Sequence, residues 1–295
     1  MIEFREPQLS DKPAIDAIFH HQSQRLCEYS FGNVFIWRRF YVTRIAFVKG
    51  FLLIRSNFRG KPCYIYPAGS GDVYEMLELL REDAAQRGEK LFFSSVTAEM
   101  RQTIARYFPD EILYTPLRDY YDYVYRADDL IDLPGKKYHS KRNHITRFAR
   151  FGEWSYEPLG EENLEECAAM DDEWCRRSDC NQDDGKRVEH CAVEQAFEHY
   201  LELGFSGGLL RQSGRVVAFS MGERLSADTF VTHIEKAFDD VEGAYTMINR
   251  EFCEHSCEGF TYINREEDLG LDGLRRAKLS YQPAFLLEKG LLEFL

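Results

Sequence analysis

Residues 229–252 read TFVTHIEKAFDDVEGAYTMINREF. Thr229–Phe238 is rich in β-branched and aromatic residues, which favour strands. Gly243 breaks the run, and Tyr245, Ile248 and Phe252 then fall on one helical face. The stretch predicts a strand, a turn and a helix. A helix start exposes backbone N–H groups that attract anions, so Gly243, Ala244 and Tyr245 are candidates for binding a donor's phosphate or carboxylate. The competing reading is an ordinary strand-to-helix turn. Asp239, Asp240 and Glu242 in the turn oppose a diphosphate, and Tyr245 stands where a small residue would let phosphate approach. On the strand, His233 and Glu235 are two apart, so alternation puts both on one face, opposite Phe230, Thr232, Ile234 and Lys236. A carboxylate and an imidazole at a strand end suit general-base work on an amine. An exposed polar face of an edge strand is the alternative.

The next segment, Gly259–Gly290, reads GFTYINREEDLGLDGLRRAKLSYQPAFLLEKG. A short strand, Phe260–Ile263, breaks into Asn264, Arg265, Glu266, Glu267 and Asp268, then into Gly270 and Gly273. Charged side chains carried by a loop on a rigid strand are a usual way to build a site. Asn264, Arg265 and Glu266 are therefore expected to line a cleft. A basic helix follows, Leu274–Leu279, with Arg275 and Lys278 on one face. With Tyr281 they form a set able to hold phosphate or stabilise an oxyanion; a solvated basic face is the alternative.

The charge distribution singles out a third segment. The 295 residues carry a formal net charge of −13, which disfavours non-specific nucleic-acid binding. Yet Leu133–Gly152 holds Lys136, Lys137, Lys141, Arg142, Arg147 and Arg150 and no acidic residue. Tyr138, Ile145 and Phe148 give it an apolar stripe, so it reads as a helix with a basic outer face. Lys137, Lys141, Arg142 and Asn143 are candidate contacts to a polyanion, against a helix that merely balances an acidic protein.

Eight cysteines include no CxxC pair and match no zinc spacing, so free thiols and no metal are expected. The N-terminus, MIEFREPQLSDKP, has no apolar run, and no segment approaches the roughly 18 apolar residues that span a bilayer. A cytoplasmic monomer without a membrane span is the expectation. Along the chain, Phe31–Trp37, Arg39–Val48 and Phe51–Ser56 read as strands, Asp72–Arg87 as a capped helix, and Ser178–Arg187 as a loop. Both halves follow the order helix, meander, strand, helix, strand, helix, strand. They read as two copies of one α/β unit, 1–127 and 128–295, dividing near Tyr125–Leu133. The first copy is expected to be structural support.

DLPGKKYHSKRNHITRF (Asp132–Phe148), TFVTHIEKA followed by GAYTMINREF, and GLRRAKLSYQP (Gly273–Pro283) together resemble the C-terminal catalytic domain of the phosphatidylglycerol lysyltransferases. The resemblance implies an α+β architecture of two fused GNAT-like acyltransferase domains, as in the Fem aminoacyltransferases. Each domain would be a mixed, mostly antiparallel sheet flanked by helices. Lys278 and Arg275 fall on the family's lysine and arginine, while Ser280 stands where it has a second lysine and no tryptophan follows Pro283.

The activity implied is transfer of an aminoacyl group from aminoacyl-tRNA to an amine or hydroxyl, with no obligatory cofactor. The acceptor would be a small molecule, a peptide or a lipid head group. The basic segment 136–150 would meet tRNA. In this reading Glu235 takes the proton, helped by His233, Lys278 stabilises the oxyanion, and Arg275 orients a phosphate or carboxylate. Two alternatives stand beside it: an acyl-CoA-dependent N-acyltransferase, and a non-catalytic ligand- or RNA-binding protein of degenerate transferase fold.

Overall fold

The computed structural model describes residues 1–22 and 24–295, which form two compact units. The first comprises Met1–Tyr123, Glu267–Arg276 and Leu286–Leu295; the second comprises Val124–Glu266 and Ala277–Phe285. The chain thus crosses at Tyr123/Val124, a few residues before the expected division, and both later returns carry part of the second half back to the first unit.

In the first unit, helices α1 (Lys12–Gln22) and α2 (Phe31–Ile36) precede the strands β1 (Arg44–Val48), β2 (Phe51–Phe58) and β3 (Lys61–Gly69). Helix α3 (Val73–Gln86), β4 (Phe92–Val96), α4 (Ala98–Tyr107) and β5 (Ile112–Pro116) follow. One sheet has the order β1-β2-β3-β4-β13-β5, where β13 is the C-terminal strand Gly290–Phe294. The strand expected at 31–37 is α2. Ser30 caps it by accepting from the Asn33 N–H at 3.3 Å, and Phe31, Val34 and Phe35 repeat at helical spacing on the buried side. Aromatic and β-branched content pointed to a strand, but cap and period prevail. The strand expected from Arg39 begins only at Arg44.

The chain continues through β6 (Asp122–Arg126), α5 (Ala127–Asp132), α6 (His139–Arg150) and β7 (Trp154–Pro158). Helices α7 (Leu164–Arg177), α8 (Asp184–Glu198) and α9 (Tyr200–Leu203) lead to β8 (Ser206–Gln212), β9 (Arg215–Arg224) and β10 (Thr229–Ala237). Then come α10 (Ala244–Ser256), β11 (Tyr262–Asn264), α11 (Asp272–Leu279) and β12 (Phe285–Leu287). The second sheet runs β12-β6-β11-β10-β9-β8-β7. Both sheets mix parallel and antiparallel pairs. Each has helices beside it, the expected α/β architecture of two mixed, mostly antiparallel sheets. The loop expected at 178–187 is partly helical, because Asp183 caps α8 through the Gly185 and Lys186 N–H groups. Cys175 and Cys180, expected as free thiols, are bonded to each other; the other six cysteines are free.

Helix α10 packs on β8, β9 and β10 and against α6. The α6 contact sets the identity of residue 243. Gly243 has φ +85°, and a Cβ there would lie 2.3 Å from the His144 carbonyl oxygen of α6. Gly243→Ala combines that collision with a left-handed backbone. It is expected to cost about 1–3 kcal/mol or more in chemical denaturation. An unchanged midpoint would refute this account of the glycine.

Candidate functional site

The site grows from the place where β10 and β11 part. The two strands pair in parallel from Thr229↔Tyr262 to Val231↔Asn264, and β10 then runs on alone to Ala237 on that side. Asn264, fully buried, ends β11 by turning the chain: its Oδ1 accepts from the Glu266 N–H at 2.7 Å, and Glu266 has φ +55°. This turn lifts Arg265 out of the ladder. Arg265 Nη2 donates to Glu235 Oε1 at 2.7 Å. The second Glu235 oxygen accepts from Asn249 Nδ2 of α10 at 3.0 Å.

Alternation along β10 is interrupted. The register slips between Thr232 and Ile234, so His233 is an extra residue in the strand. Phe230, Thr232 and Glu235 oppose Arg224, Gly222 and Ser220 of β9 and share one phase. Accordingly Phe230 meets Phe252 of α10, whereas Lys236 lies over the Trp174 ring of α7 at 3.7 Å. The shared face expected for His233 and Glu235 is therefore not found, and the bulge is the reason. His233 is bound between Glu223 (Nε2 to Oε1, 3.0 Å) and Glu266 (Nδ1 to Oε1, 2.8 Å), with its side chain 1% exposed. Burial disfavours its charge, but the hydrogen bonds and charges of both carboxylates outweigh this and push its pKa up to about 9. Its two nitrogens are fully committed, so it holds Glu266 and the turn rather than a substrate.

Around the Glu235–Arg265 pair, polar atoms lack partners among the described residues: Arg265 Nη1, Asn249 Oδ1 and Thr232 Oγ1. Leaving such a buried group unpaired costs about 1–3 kcal/mol. The guanidinium lies against the rings of Tyr281 (4.9 Å) and Tyr125 (5.7 Å). Lys141 Nζ of α6 sits over the same Tyr281 ring at 3.6 Å. Burial and the Arg265 cation lower the Lys141 pKa to about 8, partly countered by Glu235. Lys141 also lines a cavity of about 270 Å³ with His144, Asp239, Glu242, Gly243 and Thr246 at the start of α10.

The remaining candidates divide. Lys278, 8% exposed, donates from Nζ to the Arg265 carbonyl at 2.5 Å and so braces the arginine's backbone. The buried Tyr281 carbonyl accepts from Tyr138 Oη at 2.9 Å. Arg275 belongs to the first unit, where it binds Asp268 and Asp119 at 2.7 and 2.6 Å. On the basic helix and just before it, Lys137 pairs with Asp129 at 3.1 Å, Arg142 donates to the Leu133 and Gly135 carbonyls, and Asn143 contacts His139. Of these, Lys141 alone reaches the neighbourhood of Glu235. At the α10 start, Ala244 N–H is taken by the Val241 carbonyl, and Gly243 makes room for α6. Glu223, Thr232 and Asn249 were not singled out in the sequence. The available signal was Asn249, a polar residue four positions after Tyr245 on an otherwise apolar face.

Among the described residues no helix is long and apolar enough to cross a membrane. Residues 20–289 match the family described as phosphatidylglycerol lysyltransferase, C-terminal. A conserved protein of unknown function from Bacteroides thetaiotaomicron is 38% identical, with all of both chains covered and a TM-score of 0.96. L-PGS from Bacillus licheniformis is 15% identical at TM-score 0.68, covering 98% of this chain and 92% of that one. FemX is 11% identical at TM-score 0.56, covering 100% and 98%. At such identities the likeness concerns the fold alone. No curated protein matches the sequence. The match over residues 20–289 makes the chain a member of the phosphatidylglycerol lysyltransferase C-terminal family.

Proposed function

We propose that the second unit transfers an aminoacyl group from the ester of an aminoacyl-tRNA to an amine or hydroxyl acceptor. The observation that carries this reading is the buried Glu235–Arg265 pair, whose arginine keeps one N–H-bearing nitrogen, Nη1, without a partner among the described residues. Attack on the ester carbonyl builds negative charge on its oxygen, and a fixed donor there lowers the barrier. Arg265 Nη1 is that donor. Lys278 acts through Arg265 by bracing its carbonyl. Glu235 takes a proton from the nucleophile; the acyl–oxygen bond to tRNA breaks, and the departing hydroxyl oxygen receives a proton. Lys141, beside the cavity at the α10 start, supplies positive charge to the donor's end, and the exposed face of α6 faces the polyanion.

The reading is tested by incubating the protein with labelled aminoacyl-tRNAs and, separately, labelled acyl-CoAs, with cell extract as acceptor. Label moving from aminoacyl-tRNA supports it. Label moving only from acyl-CoA transfers the proposal to the second reading. That reading is favoured by the cavity at the helix start and opposed by its walls, Asp239 and Glu242, and by the engaged Ala244 amide. Binding without turnover overturns both.

Lys141 offers a separate test. A lysine held at about 8 instead of its ordinary 10.5 is destabilising at neutral pH, and folding stability should rise between those values as the unfolded chain alone keeps the proton. Lys141→Met is therefore expected to increase stability at pH 7 while raising the donor KM at least tenfold. In the wild type, donor binding weakens as pH rises through about 8. A destabilised but fully active variant would refute this role.

A further inference from the structure

Asn249 is 1% exposed and Thr232 6% exposed, yet Asn249 Oδ1 and Thr232 Oγ1 have no partner among the described residues. The Asn249 amide cannot be turned round: its Nδ2 donates to Glu235 Oε2, and an ionised carboxylate only accepts. Oδ1 is therefore a fixed, unmet acceptor. Thr232 shares the phase of Glu235 on β10, the phase that faces α10. Thr246 lines the cavity, and Asn249 follows it by three residues on the same helix face. Beside the proton-accepting carboxylate there are thus a fixed further acceptor, Asn249 Oδ1, and a hydroxyl, Thr232 Oγ1, that can accept or donate.

Two groups that only accept, Glu235 and Asn249 Oδ1, with a hydroxyl beside them, suit a group with more than one donor. A hydroxyl offers one O–H donor; a primary ammonium offers three N–H donors. We infer that the acyl acceptor is a primary amine and that the product is an amide, Asn249 and Thr232 being the subsite that selects it. The inference rests on the transferase reading above. The balance is simple. The arriving ammonium gives one proton to Glu235, which passes it to solvent. The resulting amine attacks the ester carbonyl, the carbon–nitrogen bond forms, and the carbon–oxygen bond to tRNA breaks. A second nitrogen-bound proton goes to the leaving oxygen. A hydroxyl acceptor, whose single O–H goes to Glu235, would leave Asn249 Oδ1 unmet in the complex, and burying such an atom unpaired is penalised.

The test uses the whole chain, labelled aminoacyl-tRNA and cell extract. The labelled product is treated with neutral hydroxylamine, which cleaves esters and leaves amides. In parallel, Asn249→Leu and Thr232→Val are assayed for half-saturation by extract acceptor and by aminoacyl-tRNA. A hydroxylamine-resistant product, with half-saturation by acceptor raised on the order of tenfold in either variant and the donor KM unchanged, supports the inference. A hydroxylamine-labile product overturns it and leaves the transferase reading standing. Absence of any labelled product overturns the transferase reading and this inference with it. Variants that alter donor and acceptor dependence equally also overturn the subsite, since a merely structural role predicts that pattern.

Discussion

Arg265→Lys is expected to lower single-turnover aminoacyl transfer by about 100- to 1,000-fold, the usual loss when one oxyanion donor is removed. The substitution separates two duties of one side chain. Nη2 holds Glu235 at 2.7 Å, while Nη1 is without a partner among the described residues. Lysine keeps the positive charge beside Glu235 and between the Tyr125 and Tyr281 rings, so the buried carboxylate stays compensated. A single ammonium on a narrower stem cannot reproduce the planar fork, in which one nitrogen pairs with the carboxylate while the other faces a reacting atom. The chemical step should therefore fall with little change in donor KM, because the lost bond forms only as the carbonyl oxygen becomes charged. Retention of full activity would remove Arg265 from the chemistry. A loss confined to KM would make it a ground-state binder.

How much of this was legible can be traced residue by residue. The strand–turn–helix of 229–252 announced β10 and α10 because the first run is rich in β-branched and aromatic residues and the second has helical periodicity, with a glycine where the backbone must turn left. Arg265 and Glu235 stood out because charged residues interrupt apolar strands. Their pairing was not legible, since it depends on Asn264 closing a turn after a three-residue strand. The bulge at His233 was hidden for a similar reason. One extra residue changes which face every later side chain occupies, and nothing local in FVTHIEK marks it. The acidic and basic residues that meet across long sequence separations were also unreadable. Lys289, 1% exposed, sits 2.7 Å from Asp122 and 2.6 Å from Glu28 in the first unit, a buried charged cluster that no window of sequence contains. The same applies to Arg275. Its spacing from Lys278 suggested a common role, but tertiary partners Asp119 and Asp268 claim it for the first unit.

The second large effect concerns stability. His233→Leu is expected to cost about 3–5 kcal/mol at pH 7, because it leaves Glu223 and Glu266 without the cation that compensates them. The imidazolium is enclosed, and its folded pKa of about 9 exceeds the ordinary 6.5. A raised pKa means that the folded chain keeps the proton when the unfolded chain has released it. The contribution is therefore complete below pH 6.5, declines as pH rises from there, and is lost above about 9. A shift of this size corresponds to about 3 kcal/mol over the window. Lys141 acts with the opposite sign from about pH 8 upward, so the measurement belongs in the Lys141→Met background, where that term is absent. Urea denaturation there should show stability falling between pH 6.5 and 9. A flat profile, or a His233→Leu cost below about 1 kcal/mol, would mean that His233 is neutral in the folded chain. In that case Glu266 is not held by charge, and the turn that presents Arg265 must be fixed by Asn264 alone. Activity of His233→Leu at pH 6.5 then distinguishes the cases: if the imidazolium anchors the turn, transfer falls together with stability, since Arg265 immediately precedes the residue that His233 grips.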